Sequence, residues 1–110
     1  MDMQERLNHL EQQQDWAALV EELEQGLASE SQSASKAAFH LRLARVLETK
    51  FLQSAKALKH YEEAYNLNPA LVEALEEARY IYWGLGKLAM VQKLLELELK
   101  TAQDAMRTSG

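Results

Sequence analysis

Three histidines, His9, His40 and His60, are the side chains best suited to ligate a metal or carry a proton near neutral pH. Their spacing gives them no common task. Each lies in a separate stretch of helical periodicity, with no second histidine three or four residues on, the interval that sets two rings on one helical face. They read as surface or partly buried structural residues, and no metal site is expected. The carboxylates lead to the same result. Glu21-Glu22, Glu62-Glu63 and Glu76-Glu77 are adjacent pairs, and neighbours on a helix diverge by about 100°. They do not converge on one reacting atom and read as solvated faces. No cysteine is present, which excludes disulfides, Cys-based zinc sites and thiol catalysis. Neither G-x-x-x-x-G-K nor H-E-x-x-H occurs, and no Gly-rich loop follows a strand. The expectation is a protein that is not an enzyme and takes no cofactor.

The elements that would carry these residues are helical. Hydrophobic residues make up 47% of the 110 and charged residues 26%, an ordinary globular composition, while four glycines and one proline leave few turn formers for many short strands. In "MQERLNHL", Met3, Leu7 and Leu10 share a face, and Asp15 is a plausible N-cap for a run striped by Trp16, Leu19, Leu23 and Leu27. "ASESQSAS" (28–35) is a polar loop in which Ser33 or Ser35 is placed to cap a third helix carrying Phe39, Leu43, Val46 and Leu47. "KFLQS" interrupts, and Ala57, Leu58, Tyr61, Ala64, Tyr65 and Leu67 stripe a fourth helix. Asn68-Pro69 then ends one helix and is expected to start the next, with Asn68 as cap and Pro69 at the first helical position, where its missing N–H costs nothing. Leu71, Leu75, Ala78 and Tyr82 stripe the fifth helix, "GLG" (84–86) stops it, and a sixth runs from about Lys87 to about Arg107.

The even-numbered helices align with one another. Leu19, Ala57 and Val91 are equivalent, followed four residues later by Leu23, Tyr61 and Leu95 and three after that by Gly26, Ala64 and Glu98. In "AKALKHYEEAYNLNP", a small residue, a bulky one four on, a small one three further and a proline after five are met by Ala57, Tyr61, Ala64 and Pro69. This resembles the second helix of a tetratricopeptide (TPR) repeat. "LARVL" (43–47) is similar to the first helix of that family, and Tyr82 and Gly86 fall where it carries Tyr and Gly. The resemblance covers roughly residues 3–100. It implies an all-α fold, an α-α superhelix or solenoid of three antiparallel helix pairs at about 2–29, 34–67 and 70–107, forming a single domain over 1–110. The sequence departs from the family at an extra residue near Leu52, at a lengthened linker with Ser31 where a proline is usual, and at Arg79 and Glu98, which replace small residues.

The family's function is to scaffold protein–protein contacts, with the first helix of each pair lining a concave groove. Carried over by alignment, the groove residues here are Asn8, Glu11, Leu41, Arg45, Glu48, Glu73, Glu76, Tyr80 and Trp83. Some members clamp a C-terminal carboxylate there. Asn8 and Arg42 match two clamp positions, but Gln4, Glu73 and Glu77 fill the others, so the cationic clamp is missing and a basic or mixed basic and apolar segment is the expected ligand. Tyr80 and Trp83, three apart and off the core stripe, suit an interface anchor.

The sixth helix is apolar on two sides. Leu88, Val91, Leu95, Leu99, Ala102 and Met106 form one stripe, read as packing on its own pair. Met90, Leu94, Leu97 and Thr101 form another, read as an outer face covered either by the next helix of a longer array or by a second copy in a homodimer, the alternative being that the fourth and fifth helices between them take both stripes. Charges at Leu94 and Leu97 are expected to separate such a dimer without unfolding it. Residues 1–35 hold eight acids and one base, which makes nucleic acid a poor partner. No window nears the run of about 18 apolar residues that spans a bilayer, so membrane insertion is not expected. "MDMQERLNHLEQQQDW" lacks the pattern of a secretory signal, and a cytoplasmic location is the expectation.

Overall fold

Six helices carry almost the whole chain in the computed structural model, which describes residues 2–109: α1 (Met3–Gln12), α2 (Trp16–Ser29), α3 (Ser33–Thr49), α4 (Ser54–Leu67), α5 (Val72–Gly84) and α6 (Leu88–Ser109). There is no strand among the described residues. Met1 and Gly110, the ends of the expected domain, lie outside them.

Local chemistry explains most of the boundaries. The Asp2 carboxylate accepts from Glu5 N at 2.8 Å, and the Asp15 carboxylate accepts from Ala18 N at 3.3 Å, each satisfying a donor that the first helical turn leaves open. Neither Ser33 nor Ser35 caps α3. Gln32 holds the cap position without a side-chain bond, and Glu30 instead gathers the Ser31 and Gln32 N–H groups on one carboxylate oxygen at 3.0 Å each. Pro69 is not the first residue of α5 either. Leu71 N donates to Asn68 O at 2.9 Å and Ala70 N to Asn68 Oδ1 at 3.2 Å, which makes residues 68–71 a turn with Pro69 second, so that α5 begins at Val72. An asparagine opening a turn with proline behind it satisfies the backbone locally and leaves no reason to helix earlier.

The connections after α1, α3 and α5 share one device. Each passes through a single left-handed residue, Gln14 (φ 59°), Leu52 (φ 55°) and Gly86 (φ 73°), and these stand 38 and 34 residues apart. That is the spacing of Leu19, Ala57 and Val91, which follow five residues after each turn.

Every helix packs on the next in chain order, giving a body of 41 × 36 × 22 Å. One contiguous core runs from Leu7, Leu19 and Leu23 through Leu43, Ala44 and Leu47 to Ala57, Tyr61, Ala64, Ala74, Leu75, Ala78 and Leu94. Gly26 is where α1, α2 and α3 meet. A Cβ there would lie 3.0 Å from Met3 Cε and 3.2 Å from Phe39 Cζ, so the bare backbone admits both side chains. Lys50 Nζ sits 4.7 Å from the Trp16 ring centroid, a cation–π contact between the end of α3 and the start of α2.

Candidate protein-interaction site

The expected groove residues fall on α1, α3 and α5, and the structure divides them by what already occupies them. On α1 and α3, Arg42 is the organiser. Its Nη2 donates to Glu11 Oε2 at 2.8 Å and to Asn8 Oδ1 at 3.1 Å, and its Nη1 to Gln4 Oε1 at 3.4 Å. Asn8 and Glu11 are therefore exposed but committed to α3, and the Arg42 guanidinium is neutralised by Glu11 rather than presented to an anion. Glu48 accepts the Tyr61 hydroxyl at 2.8 Å. Burial and this bond push the Tyr61 pKa far above the usual phenol range, so the hydroxyl stays a donor. Leu41, only 8% exposed, belongs to the core and offers a partner no surface. Arg45 is exposed.

On α5 the positions are open. Glu73, Glu76, Tyr80 and Trp83 follow one another at i, i+3, i+7 and i+10, which lays them along one face, and all four are exposed, the two aromatics at 63% and 64%. Arg79, Tyr80 and Trp83 line a cleft of about 220 Å³ with Val91 of α6. Arg79 holds this corner. Its guanidinium carbon is 5.2 Å from the Tyr80 ring centroid, while Nε and Nη2 grip both carboxylate oxygens of Glu98 on α6. The bond to Glu98 raises the Arg79 pKa, so the charge is permanent.

The two faces of α6 are the reverse of the sequence reading. Met90, Leu94, Leu97 and Thr101, expected outside, point inward. Leu94 is 5% exposed, Met90, Leu94 and Leu97 line a cleft together with Tyr65 of α4 and Leu75 of α5, and Thr101 Oγ1 lies 3.4 Å from the Tyr65 hydroxyl. Of the stripe expected to pack, only Val91 is buried. Leu88, Leu95, Leu99 and Met106 are 60%, 46%, 61% and 74% exposed. The two stripes sit side by side on a wide apolar arc. Counting apolar positions favours the longer one, but α6 rests in the crease between α4 and α5, and the arc that fits that crease is the shorter one.

A polar contact was missed altogether. His40 of α3 and His60 of α4 meet with their Nδ1 atoms 2.9 Å apart, ring centroids at 5.1 Å and planes inclined by 35°. The centroid separation is close to that of two rings laid end to end, so the nitrogens aim at each other rather than at a shared third point. This is the geometry of one shared proton, with one ring donating N–H and the other accepting. Burial lowers both pKa values from the usual histidine range. Lys36 adds to the lowering at His40, the neighbouring His40 adds to it at His60, and Glu63 opposes it at both. The sequence carried one signal: positions 40 and 60 lie at similar distances on either side of the α3–α4 connection, as partners across an antiparallel hairpin must. Among the described residues there is no group of three or more His, Cys, Asp or Glu placed to hold a metal ion, and no helix is long and apolar enough to cross a membrane.

No family model matches the chain, and comparison with curated proteins gives no match.

Proposed function

We propose that this chain is a non-catalytic protein-interaction module, a solenoid of three helical hairpins of the tetratricopeptide type, which holds a segment of a partner protein against the face formed by α1, α3 and α5. The observation that carries the reading is the pair Tyr80 and Trp83, each more than three-fifths exposed and flanked along α5 by the exposed Glu73 and Glu76. Large aromatics held on a rigid helix beside acidic groups are the side chains that dominate binding energy at interfaces. With Arg42 already neutralised by Glu11, the open charges on α5 are acidic, which selects a basic or mixed basic and apolar segment. The recurrence of a left-handed turn residue at the same 38 and 34 spacing as the helix pattern supports the three-hairpin description. Consecutive packing of each helix on the next supports it too.

Fluorescence anisotropy with labelled peptide pools tests the assignment. Basic and apolar peptides should bind more tightly than acidic ones, and Tyr80→Ala/Trp83→Ala should weaken binding by about 30-fold or more, the loss expected of a hot-spot pair. Preference for the acidic pool, or equal binding by the variant, would remove this reading.

A further inference from the structure

We infer that α5 selects two features of one partner segment, an apolar side chain in the cleft beside Tyr80 and Trp83 and a lysine or arginine three residues away on Glu73 and Glu76. The segment lies along the helix in polyproline II conformation. This rests on the peptide-face reading above and states what that face selects.

The cleft sets the first feature. Its volume of about 220 Å³ lies below the roughly 300–1,000 Å³ of small-molecule sites, which sizes it for a single side chain. Tyr80 and Trp83 bring two exposed aromatic rings to it, and Val91, only 7% exposed, completes the apolar lining. Arg79 decides the charge. Its guanidinium carbon stands 5.2 Å from the Tyr80 ring centroid, so a second cation entering the cleft is repelled. An anion is not drawn there either. Glu98 already holds Nε and Nη2 at 2.7 and 3.2 Å, and Glu76 acts on the same guanidinium electrostatically. The side chain that gains by entering is uncharged and apolar.

The second feature lies two turns earlier. Glu73 and Glu76 precede Tyr80 and Trp83 by seven residues each on the same face, a distance of about 10 Å along the helix. Both are exposed, and neither makes a salt bridge among the described residues. Two open carboxylates one turn apart attract one cationic side chain.

That distance fixes the partner's backbone. Side chains on one side of a β-strand recur every second residue, at about 7 and 13 Å, and neither value matches. A polyproline II segment has three residues per turn and rises about 3.1 Å per residue, so side chains three apart share a side at about 9 Å. The interval between the cleft and the carboxylates is therefore one turn of such a segment, and either chain direction satisfies it.

Fluorescence anisotropy on the 110-residue chain tests this with short labelled Gly/Ser peptides, each carrying one leucine and one arginine, titrated to millimolar protein. Affinity should peak when the two stand three apart, and fall about threefold or more at separations of two and four, which turn one side chain away. Prolines at the two positions between them should tighten binding by about twofold or more, because they hold the bound conformation in advance. Glu73→Lys/Glu76→Lys changes only exposed side chains. It should reverse the preference, so that glutamate in place of the arginine binds about tenfold more tightly than arginine does. This is a gain, which misfolding cannot produce. Equal affinity at every separation, weaker binding with the prolines, or an arginine preference that survives the charge reversal would overturn the inference. The peptide face would still stand in those cases if Tyr80→Ala/Trp83→Ala weakened the tightest peptide. Unchanged binding by that variant would instead remove the face, and this inference with it.

Discussion

Arg79 and Glu98 are each other's partners. Nε of the arginine lies 2.7 Å from one carboxylate oxygen and Nη2 lies 3.2 Å from the other, the two-pronged geometry that makes such pairs strong. The bridge joins α5 to α6. It lies between side chains 23% and 13% exposed.

That pairing predicts strong coupling. Arg79→Ala and Glu98→Ala should each cost about 2 kcal/mol, since either leaves a partly buried charge without its bond. The double variant should cost less than the sum by about 1–2 kcal/mol, read from urea denaturation of all four proteins. Additive losses would mean that the two residues act separately.

The inward turn of Leu94 separates it sharply from a residue five positions away. Leu94→Ala should destabilise by about 2–4 kcal/mol because it opens a cavity between α4, α5 and α6. Leu99→Ala should cost under about 0.5 kcal/mol. Glutamate at Leu94 should unfold the C-terminal hairpin rather than dissociate a dimer, the opposite of what the sequence alone led one to expect.

The His40–His60 contact makes stability depend on pH in a defined direction. Both pKa values are lower in the folded protein than in the unfolded chain, so the unfolded chain binds protons first as pH falls. Stability from this pair is fully present above about pH 6.5, the unfolded histidine value, and is lost as pH falls below it toward the folded values. Thermal melts at pH 7.5 and 5.5 should differ more for the natural chain than for His40→Gln/His60→Gln. An equal difference would place the pH dependence elsewhere.

Much of the fold was written in local patterns. The six helices and their order follow from period and punctuation, because Asp15, Asn68 and Gly86 act through bonds and backbone angles within a few residues of themselves. What escaped were the relationships set by how helices lie on one another. The sides of α6 could not be told apart, since Leu94 and Leu95 are chemically alike and only the crease between α4 and α5 distinguishes them. The burial of Leu41, the commitment of Glu11 to Arg42 and the meeting of two histidines twenty residues apart are likewise products of packing. The exposure of Tyr80 and Trp83 was legible because they depart from the stripe around them, a contrast visible within one helix.

The three left-handed turns carry a last consequence. Gly86 adopts its φ without steric cost, but Gln14 and Leu52 hold the same region with side chains attached, at roughly 1–2 kcal/mol each, and Leu52 is 82% exposed. Glycine at either position would surrender roughly 0.5–1 kcal/mol of backbone freedom. Gln14→Gly and Leu52→Gly should therefore each raise Tm by a few degrees at most in scanning calorimetry, and neither should lower it. Thermal resilience in this protein is adjustable from its connectors, in turns separate from the helix that carries Tyr80 and Trp83.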